Sequence, residues 1–131
     1  MASPRYSKDK GRAWENAIVE FLDTLGVPGV ERRRLAGSQD KGDISGIRGV
    51  MIEAKNERGW KIPEWLREVD RQMRNAKAPV GVVWARVMGK PKAGDGVIIM
   101  HPHTFLGLLE AAGYLKLDQA PDDGVSSSEP L

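Results

Sequence analysis

Residues 80–87, Val-Gly-Val-Val-Trp-Ala-Arg-Val, form a nearly continuous apolar run bounded by Pro79 and by the Gly/Lys/Pro-containing stretch 88–96. A run this short, with no polar alternation, reads as a strand covered on both faces, which calls for helices on either side of a sheet. The rest of the chain supplies them. Trp14, Ala17, Ile18, Phe21, Leu22 and Leu25 fall at i, i+3, i+4, i+7, i+8 and i+11, one apolar stripe of a helix that opens at Gly11 and is stopped by Gly26 and Pro28. Ile62, Trp65, Leu66, Val69, Met73 and Ala76 repeat at helical spacing around Pro63, which suits a first helical turn. Gln72 lies in line with Trp65, Val69 and Ala76, so a polar residue enters that stripe. Residues 103–114, with Phe105, Leu106, Leu108, Leu109 and Ala112, make a last helix. Strands are expected at 30–35, 44–47, Val50–Lys55 and 97–100, the second and third forming a hairpin around Arg48-Gly49. The order is α-β-β-β-α-β-β-α, an α/β fold with a central mixed β-sheet flanked by helices.

A chain of 131 residues makes one domain with one modest core. The absence of cysteine excludes a disulfide framework, a zinc finger and a thiol nucleophile. No apolar run approaches the roughly 20 residues of a membrane span. Residues 1–10 are polar and basic and do not read as a signal peptide, which fits a cytoplasmic protein. Residues 1–9 read as a flexible basic arm, 10–117 as the folded domain, and 118–131 as a disordered acidic tail. The formal net charge of +2 hides the basic character of the body: residues 1–117 hold 20 basic and 14 acidic side chains, about +6. Lys10, Arg12, Arg32, Arg33, Arg34 and Lys41 concentrate in the first third, as phosphate binding requires. Charge alone is equally consistent with a solvated surface.

The chemistry-bearing pattern is Gly42-Asp43 followed by Glu53-Ala54-Lys55. In the expected hairpin, Asp43 opens one strand while Glu53 and Lys55 close its partner on a common face, so the three become neighbours. At ~4 Å, two carboxylates repel by about 4 kcal/mol at an effective dielectric near 20. A divalent cation relieves this, and magnesium prefers carboxylate oxygens plus retained water. Lys55 would then orient the attacking water or neutralise charge on a phosphate. An Asp followed by E-x-K also occurs on surface hairpins with scattered charges, so the pattern is weak on its own.

These residues resemble the PD-(D/E)XK nuclease superfamily, Gly42-Asp43 matching the first half of its motif and Glu53-Ala54-Lys55 the second. Lys10-Gly11-Arg12-Ala13-Trp14-Glu15, at the opening of a helix, is similar to the K-G-x-x-x-E opening of archaeal-type Holliday junction resolvases. Arg33-Arg34-Leu35-Ala36-Gly37-Ser38 is similar to that family's basic Gly/Ser stretch. The resemblance spans about residues 8–115. It implies a restriction-endonuclease-like core, metal ligation by Glu15, Asp43 and Glu53, a role in cleavage for Ser38, and support of the site by Gln72. It further implies Mg2+ as cofactor, with Mn2+ able to substitute, and hydrolysis to a 5′-phosphate and 3′-hydroxyl. Branched four-way DNA is the implied substrate. Its two-fold symmetry favours a homodimer with one site per subunit. A stand-alone resolvase serving recombination or repair suits a phage or other mobile replicon, and hence a host cytoplasm. Gly42 replaces the motif's proline, Asn16 stands where several members have arginine, and the acidic tail has no counterpart. Nucleases of the same superfamily acting on flaps, single strands or duplexes share the catalytic pattern, and a non-catalytic DNA-binding module would share the fold.

Other residues have plainer readings. His101 and His103 flank Pro102 without an evident third ligand and read as structural. Trp14 and Trp65 belong to the core, whereas Trp60 follows the active lysine closely enough to stack on a base or meet a second subunit. Lys90 and Lys92 sit in an expected flexible loop, open equally to phosphate and to solvent.

Overall fold

The computed structural model describes residues 4–32 and 42–118. Its elements are α1 (Pro4–Thr24), β1 (Glu31–Arg32), β2 (Ile44–Ser45), β3 (Val50–Lys55), α2 (Ile62–Ala76), β4 (Val80–Ala85), a 3₁₀ turn at Ala93–Asp95, β5 (Val97–Ile99) and α3 (Pro102–Ala111). The strands form one mixed sheet in the order β1-β2-β3-β4-β5. β3 and β4 run parallel, in register from Val50 opposite Val80 to Lys55 opposite Ala85, and α2 is the crossover between them. The remaining pairings are antiparallel.

Strand alternation divides the apolar residues between two cores. Ile44, Ile52 and Val82 pack with Trp14 and Ile18 of α1. Met51, Val83 and Ala85 pack on the other face with Trp65 and Val69 of α2. The 80–87 run is therefore apolar at successive positions because β4 is covered on both faces. Gly81 lets α2 approach β4 closely: a Cβ there would lie 2.9 Å from Val69 Cγ1 and nearer still to Met73. The indole Nε1 of Trp14 donates to the Trp84 carbonyl at 3.0 Å and ties α1 to β4.

Several boundaries differ from the sequence expectation. α1 begins at Pro4, inside the segment 1–9 expected to be a flexible arm. Proline is well placed at a first helical position, and the Arg and Lys residues that follow it are good helix formers. The apolar stripe of α1 stops short of Leu25, which is 64% exposed because the helix ends at Thr24. The 88–96 connection is folded back onto α1 at its far end: Ala93 is buried in the α1 core, and its carbonyl accepts from Trp84 Nε1 at 3.0 Å. α3 ends at Ala111 rather than at residue 114. Arg33, Arg34, Ser38, Lys41 and the acidic segment from 119 onward lie outside the described residues, as do residues 1–3. No described helix is long and apolar enough to cross a membrane.

The stripe on α1 makes a graded prediction. Ile18→Ala, at a fully buried position, should cost about 2–5 kcal/mol of unfolding free energy. Leu25→Ala, on the same sequence stripe, should cost less than about 0.5 kcal/mol. Chemical denaturation of both variants measures the difference, and equal losses would contradict the packing described.

Candidate active site

β3 carries Glu53 and Lys55 on the face turned to α2, two residues apart and hence on the same side. Asp43 comes from the residue preceding β2. Ile44 pairs with Ile52, so the antiparallel register continued by one residue sets Asp43 against Glu53. Asp43 is fixed twice: its amide donates to the Ile52 carbonyl at 2.9 Å, and its carboxylate Oδ2 accepts from the Ala54 amide at 2.8 Å. The backbone at Gly42 excludes a proline there. Its φ is +92°, whereas a proline ring holds φ near about −65°. A Cβ at Gly42 would also lie 2.7 Å from the Met51 side chain.

Glu53 is 5% exposed, the one carboxylate among the described buried residues. Gln72, fully buried on α2, donates through Nε2 to Glu53 Oε2, and a side-chain hydrogen bond links Glu53 to Asp43. The pKa of Glu53 is raised to about 9, first by burial and then by the hydrogen bond and charge of Asp43, with Gln72 and Lys55 pulling the other way. The direction of that shift favours a neutral Glu53 carboxyl, which lessens the repulsion between the pair. Glu15 approaches from α1. Burial raises its pKa first, then the charge of Asp43, against lowering by Arg32 and Arg12. Its Oε1 lies 3.9 Å from Arg32 Nη1.

Lys55 is held by a residue that the sequence reading missed. Its Nζ donates to Glu68 Oε2 at 3.0 Å and sits 6.0 Å from the centre of the Trp65 ring. Burial lowers the Lys55 pKa, but the hydrogen bond to Glu68 and the charges of Glu53, Glu68 and Glu57 leave it raised. The Trp65 indole donates to Glu57 at 3.1 Å, and Asn56 Nδ2 donates to the Lys10 carbonyl at 3.3 Å, joining α1 to the end of β3. Glu68 precedes Gln72 by four residues and so shares its helix face, a spacing signal that was available in the sequence. Trp60 is 39% exposed and lies 6.0 Å from Trp65, beside the lysine.

The structure thus brings together Asp43, Glu53, Lys55 and Gln72, with Glu15 near Asp43. Arg12 and Arg32 border Glu15, and Lys10 contributes its backbone. The proposed contributions of Ser38, Arg33, Arg34 and Lys41 fall outside the described residues. His101 is occupied elsewhere: its Nε2 lies 3.1 Å from Asp70 Oδ1, and its ring stacks on His103. Among the described residues no three Asp, Glu or His side chains close around a single point. The donor set nonetheless fits a hard cation, since it is all oxygen and two carboxylates already converge. Comparison with protein-family models, with curated proteins and with solved structures gives no match.

The raised pKa of Glu53 predicts an unusual pH dependence in metal-free protein. Because the folded value lies above the ordinary 4.5, native protein keeps a proton that unfolded chain loses between about pH 4.5 and 9. The associated stability is complete below pH 4.5 and lost as pH rises through 9. Glu53→Gln keeps an acceptor for Gln72 and gains a donor for Asp43. In a chelator, this variant should be more stable than the parent by ~2 kcal/mol at pH 8, with a flatter dependence of Tm on pH. A parent Tm that is level from pH 5 to 9 would rule out the raised pKa of Glu53.

Proposed function

We propose that this chain is a metal-dependent endodeoxyribonuclease of PD-(D/E)XK type, with a restriction-endonuclease-like core, that cuts four-way DNA junctions. The observation that carries this reading is the convergence of the half-buried Asp43 on the buried Glu53, with Lys55 two residues on and Gln72 beneath. Two carboxylates brought together, one of them buried, form an all-oxygen donor pair that suits a divalent cation. Magnesium bound by Asp43 and Glu53, with Glu15, would supply Lewis-acid polarisation of the scissile phosphate and acidify a bound water.

The residues of the chain have distinct tasks. Gln72 fixes the rotamer of Glu53, and the Ala54 amide fixes that of Asp43. Lys55, held as an ammonium by Glu68, offsets charge on the phosphate as water attacks phosphorus. The bond to the 3′ oxygen breaks, which leaves a 5′-phosphate and a 3′-hydroxyl. Arg12 and Arg32 border Glu15, and with Lys10 earlier on α1 they offer contacts to phosphates rather than to bases. Such contacts read shape, which suits a branched substrate.

The test is cleavage of a synthetic four-way junction beside a linear duplex of the same sequence, with and without magnesium. Junction-selective, magnesium-dependent cutting is expected. Asp43→Asn and Glu53→Gln should each lower the cleavage rate by roughly 10³-fold while leaving junction affinity within a few-fold. Undiminished cleavage by either variant would refute the assignment of the site. Equal cutting of junction and duplex would move the substrate to ordinary duplex DNA.

A further inference from the structure

The loop that joins Lys55 to α2, residues 56–61, carries an aromatic ring that neither core uses. Trp60 is the most exposed of the four tryptophans and packs in neither hydrophobic cluster. An indole left part-exposed forgoes much of the burial that a tryptophan ordinarily contributes. Trp60 is steadied by the buried ring of Trp65, 6.0 Å away and tilted by 49°. Trp65 is fixed in turn by its indole hydrogen bond to Glu57. Trp60 therefore stands on a fixed base while part of its surface meets solvent. Cations flank it in the chain: Arg58 and Lys61 are exposed, and among the described residues neither is held in an ion pair. A Cβ added to Gly59, between Arg58 and Trp60, would meet nothing within 4 Å, so the loop is open there.

We propose that Trp60 is a stacking platform for an unpaired nucleobase, a few nucleotides from the phosphate held at Lys55. An exposed indole flanked by free cations is the combination that binds single-stranded nucleic acid, the ring taking the base and the cations the backbone. The core of a protein–protein contact is depleted of charge, whereas Trp60 stands between two cations. The distances fit a nucleic acid strand. Lys55 Nζ lies 6.0 Å from the Trp65 ring, and Trp60 is one further step of 6.0 Å away. That separation is no more than about four base rises of 3.4 Å. In an intact duplex each base is covered by its neighbours, which leaves Trp60 nothing to stack on. A base freed at a branch point, flap or gap offers its face. Trp60 would thus determine specificity without touching the reacting atoms, and would favour DNA with an unstacked base over intact duplex. The placement beside a scissile phosphate rests on the nuclease reading; the binding of an unpaired base does not.

Binding measured by fluorescence anisotropy in EDTA, where no metal-dependent cleavage occurs, tests it with two probes: labelled oligothymidylate and a blunt duplex. Trp60→Ala should weaken oligothymidylate binding by roughly 5- to 100-fold and leave duplex affinity within about twofold. Trp60→Phe should recover most of the loss, because a ring remains to stack. The circular dichroism spectrum of both variants should match the parent, since Trp60 lies outside both cores. Unchanged oligothymidylate affinity in Trp60→Ala, or an equal loss on the duplex, would overturn the proposal. So would a change of oligomeric state in sedimentation equilibrium, which would assign the ring to a protein contact. Selective loss of oligothymidylate binding, in a protein that cuts no DNA with magnesium, would leave the platform standing and remove the nuclease reading. In a protein that does cut, Trp60→Ala should lower the preference for junction over duplex by at least about fivefold.

Discussion

Glu53 has almost no contact with water and faces a second carboxylate, an arrangement that costs several kcal/mol unless neighbouring groups compensate. Each compensating contact comes from a different part of the chain. The Ala54 amide of β3 holds Asp43, Gln72 of α2 holds Glu53, and a side-chain hydrogen bond joins the two carboxyl groups. The pair therefore fixes relationships between elements. A one-residue slip of β2 against β3 would carry Asp43 to the opposite face and leave Glu53 buried alone. A small displacement of α2 from β4 would withdraw Gln72, and the close approach at Gly81 holds that helix in place.

The sheet keeps its two helices chemically distinct. α1 covers one face through Trp14 and Ile18, and its Glu15 comes near the site only because Asp43 precedes β2 at the sheet's margin. α2 covers the face on which Glu53 and Lys55 lie, so it supplies both Gln72 and Glu68. One of its residues steadies the acidic group and the other steadies the basic one. The Lys55–Glu68 pair is partly exposed, and pairs of that kind contribute little to stability. Its consequence is directional: it sets where the ammonium stands.

Much of this was legible in the sequence, because burial on two faces leaves a pattern. The 80–87 run required helices on both sides, and the alternation Val50, Ile52, Ala54 against Met51, Glu53, Lys55 assigned Glu53 and Lys55 to one face before any coordinates. Gln72 announced itself as a polar residue on an apolar stripe. Glu68 did not stand out, since a charged residue on a helix flank is usually solvated and only the distance to Lys55 separates it from Glu64 or Asp70. The meaning of Gly42 was likewise hidden, because a positive φ is a property of the turn into β2 and not of the residue alone. The start of α1 was misjudged because residues 4–10 carry helix-forming residues without an apolar stripe to reveal them. The exposure of Phe105 and Leu106 could not be seen at all, since both look like core until α3 is found to bury Thr104 instead.

The helix α2 lies between the carboxylate pair and α3. Glu68 and Gln72 point to the carboxylate pair, whereas Asp70, Arg74 and Lys77 lie roughly 180° around the helix and face α3. Asp70 reaches His101 at the start of α3. The cleft between the two helices is wide, and the hydroxyl of Thr104 within it is buried without a hydrogen-bond partner. α3 alone is therefore a loose buttress for the helix that positions Glu53 and Lys55.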